Sequence, residues 1–422
     1  MDRDHHDHEE EINVPSYFLC PISLQIMKDP ITISTGITYD RESIETWIFT
    51  NNNPICPVTK HPLNVDTNNI DAFLTPNHTL RRLIQSWCTL NASYGIERFP
   101  TLKPPITKAQ ISKLIKEASK SSTQRRFQIL DTIKSISSES SANKRCLETT
   151  PGVAEFLGDL VLKNISEDAL RILVHLQISD EMILRNLLKQ NEGELINSLV
   201  KIIEKRNYDS RAYAIELMKQ LLEVADPKQV VSLTREQFAV VIRLIRDEIS
   251  PKTTKTALKV LDLACSWGRN RIRVTEAGAI PVMVDVLMES KDKRTMEMVL
   301  AVLDSLSGCA EGRAELLAHG AGLAVVSKKI LRVSHFATEK GVKILFAICK
   351  FCGIPSVVQE MLQLGVVAKL CLVLQVDCEA KTKGMVKEIL KLHSQAWINS
   401  PCFLTWSNNN IHGLNYLLKS HK

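Results

Sequence analysis

Beyond Ile106 a glycine followed at once by an apolar helical stretch recurs at nearly constant steps, and this periodicity limits the folds open to the chain more than any other feature. Gly152 precedes Val-Ala-Glu-Phe-Leu, Gly193 precedes Glu-Leu-Ile-Asn-Ser-Leu-Val, and Gly278 precedes Ala-Ile-Pro-Val-Met-Val. Gly320 and Gly365 open comparable stretches, and Gln237, before Phe-Ala-Val-Val-Ile-Arg-Leu-Ile, stands in the same slot. The successive steps are 41, 44, 41, 42 and 45 residues. Each unit also carries a longer segment with apolar residues three and four apart. Ala257, Leu258, Leu261 and Ala264 form one such face, Val299, Val302, Leu303 and Leu306 a second, and Val342, Leu345, Phe346 and Cys349 a third. A helix of this kind cannot bury its stripe alone, so neighbouring units stack into an α-solenoid with a long groove. An irregular helical bundle would not repeat at near-equal steps.

The step length falls in the ~40–47 residues of armadillo or HEAT units. At 422 residues and 47.4 kDa the chain exceeds what one core organises, and an aromatic content of 5% suits helical packing. The helix from about Ile111 to Ile136 and the less regular region after Lys391, with Trp397 and Trp406, are expected to cap the stack. Cys349-Lys-Phe-Cys352 has a metal-like spacing, but on a helix a separation of three is one face, and a core role is expected.

Residues 1–13 hold six Asp/Glu and three His, His5, His6 and His8, with almost no apolar side chain, and read as a disordered polar tail. The eleven cysteines are scattered, and the first residues lack the basic and apolar regions of a secretion signal, which leads to an expected cytoplasmic location, the nucleus or recruitment to membranes by partners being alternatives. No apolar run reaches the ~18 residues of a spanning helix, so no direct membrane insertion is expected. The net charge of +6 is spread along the chain and argues for no nucleic-acid partner.

From 14 to 90 the texture differs: short apolar runs, frequent prolines and two helices. A linker, 91–105, follows with Pro100, Pro104 and Pro105. Asp40 is suited to cap a helix bearing Ile44, Trp47 and Ile48, and Asn77 a second bearing Leu80, Leu83, Ile84 and Trp87. Pro30 to Thr38 reads as a β-hairpin turning near Thr35-Gly36. Cys20, Cys56, His61, His78 and Cys88 invite comparison with a zinc domain. A closed zinc site needs four ligands and a two-metal cross-brace about eight, usually in close pairs. Only these five candidates exist, without a Cys-x2-Cys pair, so no metal is expected. A connected set of polar contacts can fix loops as coordination does, and Ser23, Asp29, Asp40, Arg41, Thr59 and Lys60 stand beside the loops that need fixing.

The residues then reach a resemblance. Val14-Pro15-x2-Phe18-x-Cys20-Pro21-Ile22, Met27-x-Asp29-Pro30, Gly36-x-Thr38-Tyr39-Asp40-Arg41-x2-Ile44-x2-Trp47, Cys56-Pro57-Val58-Thr59 and Pro76-Asn77-x2-Leu80-Arg81-x-Leu83-Ile84-x2-Trp87-Cys88 together resemble a U-box, a zinc-free RING-like domain. A U-box, a proline-containing linker and armadillo repeats resemble the plant U-box and armadillo-repeat E3 ubiquitin ligases. The fold class so implied is mainly α: a small α+β U-box followed by an armadillo-type α-solenoid over 106–422.

The resemblance implies that two loops and the central helix form an apolar platform for a ubiquitin-charged E2 conjugating enzyme. By motif match the first loop contributes Ile22 with Leu24 nearby, the helix contributes Trp47, and the second loop contributes Pro57. Ile22 and Trp47 read equally as core residues, and the sequence does not choose. Cys20, Ser23, Asp40, Arg41 and Thr59 would be structural. No residue is implied to be catalytic, because such ligases hold the E2 and ubiquitin so that a substrate lysine attacks, and no cofactor is implied. Lys60 stands where a bridging arginine is frequent, and lysine lacks the planar fork. Cys20 has no histidine beside it in the motif to act as a base and is expected to shape its loop. The armadillo groove would take the protein substrate, and a homodimer or heterodimer through the U-box is admitted by the family. The rival class is a non-catalytic armadillo adaptor, or a scaffold whose U-box only dimerises. Nuclear-import adaptors line their grooves with asparagine and tryptophan, whereas the matching slots here hold Gln220, Asp262, Ser305 and Ala347.

Overall fold

The structure, a computed structural model, describes residues 14–50, 53–63, 74–92, 106–163, 166–176, 178, 180–189 and 194–397. The tail 1–13, the linker prolines, Gly193 and Trp406 lie outside the described residues. The chain divides into two compact units, Met1–Ile106 and Thr107–Lys422.

In the first unit, β1 (Pro30–Thr32) pairs antiparallel with β2 (Thr38–Asp40), Ile31 opposite Tyr39, and β3 (Thr75–Pro76) adds to the other edge of β1. Gly36 closes the hairpin at φ +78°, a conformation glycine adopts without steric cost, and its N–H bonds to the Ile33 carbonyl at 2.9 Å. The helix Arg41–Glu45 follows β2 directly and continues as a wider π-turn through Thr46–Thr50. A second helix, His78–Leu90, starts at Asn77, whose side chain accepts the Leu80 N–H at 3.0 Å, as expected of an N-cap. Its buried face is Ile84 and Cys88, with Leu80 and Trp87 packed beside them. Leu83, expected on that face, is 52% exposed because the buried stripe centres one residue further on. Phe18, Met27, Ile31, Tyr39, Ile44 and Ile84 make the middle of the core.

In the second unit the repeat consists of three helices, as in Gly268–Glu276, Ala279–Glu289 and Lys293–Ser307. The long helices Tyr208–Val224, Pro251–Cys265, Lys293–Ser307, His335–Cys352 and Ala380–Leu392 pack successively on one another, each covering the stripe of the one before. The three predicted faces are buried except for Phe346, which is half-buried with the Lys350 ammonium 5.4 Å from its ring. Cys349 is a core residue, its thiol 3.7 Å from the Met361 sulfur and pushed up to about 12 by burial. Trp397 is fully buried at the end of the described stack.

The repeated glycines act by backbone conformation at three positions. Gly152, Gly278 and Gly365 precede their helices at φ +90°, +82° and +69°, where a β-carbon is strained. Two assignments to this slot are corrected. Gln237 lies inside the helix Arg235–Arg246, and Thr234 takes the cap: Gln237 donates its N–H to the Thr234 hydroxyl while its side chain accepts the Thr234 N–H at 2.8 Å. Gly320 is likewise displaced, since Ala321 caps the helix Gly322–Lys329. At Thr234 the reciprocal side-chain cap satisfies the first helical N–H groups without a left-handed residue, so the period survives there without glycine.

Candidate functional site

Two five-residue loops of the first unit are built alike. In Cys20-Pro21-Ile22-Ser23-Leu24 the Leu24 N–H returns to the Cys20 carbonyl at 2.8 Å, and in Cys56-Pro57-Val58-Thr59-Lys60 the Lys60 N–H returns to that of Cys56 at 2.9 Å. Each closes on an antiparallel bridge, Leu19 with Ile26 and Ile55 with Pro62. Each ends on a residue in the left-handed region, Leu24 at φ +56° and Lys60 at φ +60°. Side chains other than glycine rarely stay there unless the surroundings hold them.

What holds them is a polar network centred on sulfur. Both cysteines are fully buried. Cys20 Sγ accepts the Asp40 N–H at 3.3 Å. Cys56 Sγ lies 3.2 Å from the Tyr39 hydroxyl, 3.4 Å from the Thr35 hydroxyl and 3.4 Å from the Thr59 nitrogen. Burial opposes ionisation of Cys56, but the donors from Thr35, Thr59 and Tyr39 outweigh it and draw the thiol down to about 6. Burial and the sulfur together push the Tyr39 phenol up, so it stays a proton donor. Its oxygen also accepts the Val58 N–H at 3.3 Å, which ties β2 to the second loop. At Cys20 burial is again outweighed, here by the backbone of Ser23, Asp40 and Ile22 and by the Ser23 hydroxyl, and the thiol is lowered.

Asp40 departs from the role expected for it. It occupies the cap position of Arg41–Glu45, yet its side chain makes no capping bond. One oxygen accepts instead the N–H groups of Lys28 and Asp29, at 2.7 and 2.9 Å, and so pins the strand entry behind the first loop. Arg41 Nε meets Asp29 at 2.6 Å, with Glu45 3.7 Å from the same guanidinium and Arg81 3.9 Å from Asp29. Of the polar residues singled out from the sequence, Asp29, Asp40 and Arg41 thus meet in one cluster, Ser23 and Thr59 serve the cysteines, and Lys60 is exposed at the end of its loop. Thr35 and Tyr39 escaped that reading as network members. The inward side of a strand is the signal that points to Tyr39, which lies between two half-buried threonine and aspartate neighbours in β2. Among the described residues no three Cys, His, Asp or Glu side chains converge as a metal ion would require.

Ile22 and Trp47 line one open depression of about 350 Å³, with Ser23, Gln25, Ile26 and Thr46 around them. Both side chains are half-buried and pack on the core by one side while the other faces the depression. The Trp47 indole N–H donates to the Ile55 carbonyl at 2.9 Å and ties the helix to the second loop. Leu24 is 75% and Val58 51% exposed at the two loop tips. Pro57 is half-buried, and neither it nor Leu24 or Lys60 lines the depression.

Two like-built, hydrogen-bonded loops are followed along the chain by a long helical-repeat region, and comparisons with known proteins match both parts. A U-box domain model matches residues 14–93, and a model described as the plant U-box protein ARM repeat region matches residues 110–411. E3 ubiquitin-protein ligase PUB23 of Arabidopsis thaliana is 52% identical over 93% of this chain and 96% of its own length. E3 ubiquitin-protein ligase PUB22 of the same plant is 50% identical over 93% and 97%. A chain solved in work on a phosphorylation switch between cadherin and beta-catenin superposes with a TM-score of 0.55 at 14% identity, covering 75% of this chain and 57% of the other, and shows the fold alone. The chain belongs to the plant U-box and armadillo-repeat E3 ubiquitin ligases.

Proposed function

We propose that this ligase receives its ubiquitin-charged E2 on the surface made by Ile22, Leu24, Trp47 and Pro57 and presents a protein substrate from the armadillo region. The observation that carries the reading is the shared depression of Ile22 and Trp47, with Trp47 fixed to the second loop by its indole N–H. A half-exposed apolar centre with a pinned aromatic is the anatomy of an interface hot spot, and the exposed Leu24 and Val58 extend it at the loop tips. No group in the two loops needs to act as a nucleophile. Cys20 and Cys56 are fully buried and engaged by hydrogen bonds, and the gain in rate comes from holding the thioester and the incoming lysine in register. Lys60 would offer the E2 and ubiquitin a single exposed ammonium, a weaker bridge than a planar guanidinium.

The same reading places the enzyme in the cytoplasm or nucleus and allows pairing through the U-box. Its test is ubiquitin discharge from a charged E2 in the presence of free lysine. Trp47→Ala is expected to lower discharge at least tenfold, while hydrogen exchange across the hairpin stays as in wild type. Unchanged discharge in a folded Trp47→Ala, or wild-type silence across a panel of E2 enzymes, would return the chain to the scaffold class.

A further inference from the structure

Where a cation of the repeats reaches a neighbouring unit, an acid commonly meets it. Lys340 pairs with Asp304 at 2.8 Å, Lys255 with Asp292 at 3.0 Å and Arg206 with Glu167 at 3.1 Å. One cluster departs from this pattern. Lys328 and Lys329 end the helix Gly322–Lys329, Arg332 lies in the turn that follows, and Lys369 comes from the helix Val366–Gln375 of the next unit. Among the described residues none of these four forms an ion pair. Their proximity is felt: burial and the charge of Lys328 lower Lys329, and burial with the charges of Arg332 and Lys328 lowers Lys369.

Local structure accounts for part of the cluster. Lysines at a helix C-terminus offset its dipole, and Lys369 donates to the Ser327 carbonyl at 2.6 Å. It does not account for Arg332, which follows Leu331, a residue held at φ +60° and 38% exposed. Leu372, one turn beyond Lys369 on the same helix, is 49% exposed. Cations without a carboxylate partner and exposed leucines are therefore interleaved across two adjacent units. The Lys369 contact to the Ser327 carbonyl brings the two basic stretches side by side, a compact positive site that a few acidic residues of a chain would complement.

We infer that Lys328, Arg332 and Lys369, with Leu331 and Leu372, form a docking surface for an acidic segment of a partner protein that also carries apolar side chains. The inference rests on the reading that the repeats capture protein partners, and it names the chemistry of the segment captured. Carboxylates would relieve the repulsion among the cations, and an apolar side chain would cover the leucines.

The test titrates the full chain with a fluorescein-labelled peptide of Glu, Asp and Leu residues. The triple variant Lys328→Glu, Arg332→Glu, Lys369→Glu is expected to bind about tenfold more weakly or worse, and rising salt to weaken the wild type. The control Lys201→Glu, Lys205→Glu, Lys228→Glu makes the same change in net charge at exposed positions elsewhere and is expected to bind as wild type. Because Lys369 also holds a backbone carbonyl, the double variant Lys328→Glu, Arg332→Glu is measured beside it, with helical content followed by circular dichroism. E2 discharge on the same preparations separates lost docking from a lost ligase. Equal weakening in the control, no wild-type binding, or binding confined to vesicles of phosphatidylserine and phosphatidylcholine would overturn the inference.

Discussion

Asp40→Ser separates two accounts of one carboxylate. If Asp40 were a helix cap, serine would serve nearly as well, because the two rank together at that position and exchange within a few tenths of a kcal/mol. In the structure the carboxylate is spent elsewhere, on the N–H groups of Lys28 and Asp29 at 2.7 and 2.9 Å. Serine is too short to reach both. A hydrogen bond to a charged acceptor contributes about 1.5–3 kcal/mol, but the Lys28 bond is exposed and water can replace it, so about 2 kcal/mol is the net expectation. A loss of that size raises local opening about thirtyfold. Hydrogen exchange with mass spectrometry on a peptide spanning Met27 to Ile33 reads it directly, and Asp40→Asn, which keeps one acceptor oxygen, should lie between. E2 discharge should fall in the same order, because the pinned strand entry supports the first loop. Exchange in Asp40→Ser within twofold of wild type would refute the reasoning and restore the capping role.

The Tyr39 hydroxyl touches both Cys56 and the Val58 N–H, so Tyr39→Phe should cost about 1–2 kcal/mol and loosen the second loop without unfolding the hairpin, visible as faster exchange over residues 54–63. Cys56 has its folded value depressed to about 6, so ionisation favours the fold at alkaline pH. That contribution is complete above the ordinary thiol range, shrinks as pH falls, and is gone below about 6; stability of the first unit should rise from pH 6 to 9 in wild type and less in Cys56→Ser. Gly152→Ala places a β-carbon 3.0 Å from Ile115 at φ +90°, whereas Gly278→Ala at φ +82° meets nothing within 4 Å. Both should destabilise the repeats by about 1–2 kcal/mol of backbone strain, and Gly152→Ala by more, in thermal melts of the full chain.

The repeat architecture was legible because its signals are local. An apolar stripe such as Ala257, Leu258, Leu261 and Ala264 appears in a single window of sequence, and one long helix after another repeats it. Substituting Thr234 and Gln237 for a glycine shifted one boundary by three residues without disturbing the period, since a capping box and a left-handed residue end in the same helix start. The U-box motif was equally readable as a resemblance, and the hairpin and the Asn77 cap followed from turn and cap preferences over a few residues.

The long-range pairings in the network were not readable, because they cross the fold. Tyr39 reaches a sulfur seventeen positions away, and Asp40 turns back to Lys28 and Asp29. Local rules assign Asp40 to the helix that begins beside it, and only the tertiary structure shows that the backbone N–H groups of Lys28 and Asp29 take its carboxylate instead. Sequence alone therefore determined that apolar-striped helices stack and how often the unit recurs, although the single helix expected from about Ile111 to Ile136 is two, Lys108–Lys120 and Thr123–Glu139. Which buried donor meets which acceptor, and hence what stiffens the two loops, was decided by packing, since it depends on distances between segments that no single window contains.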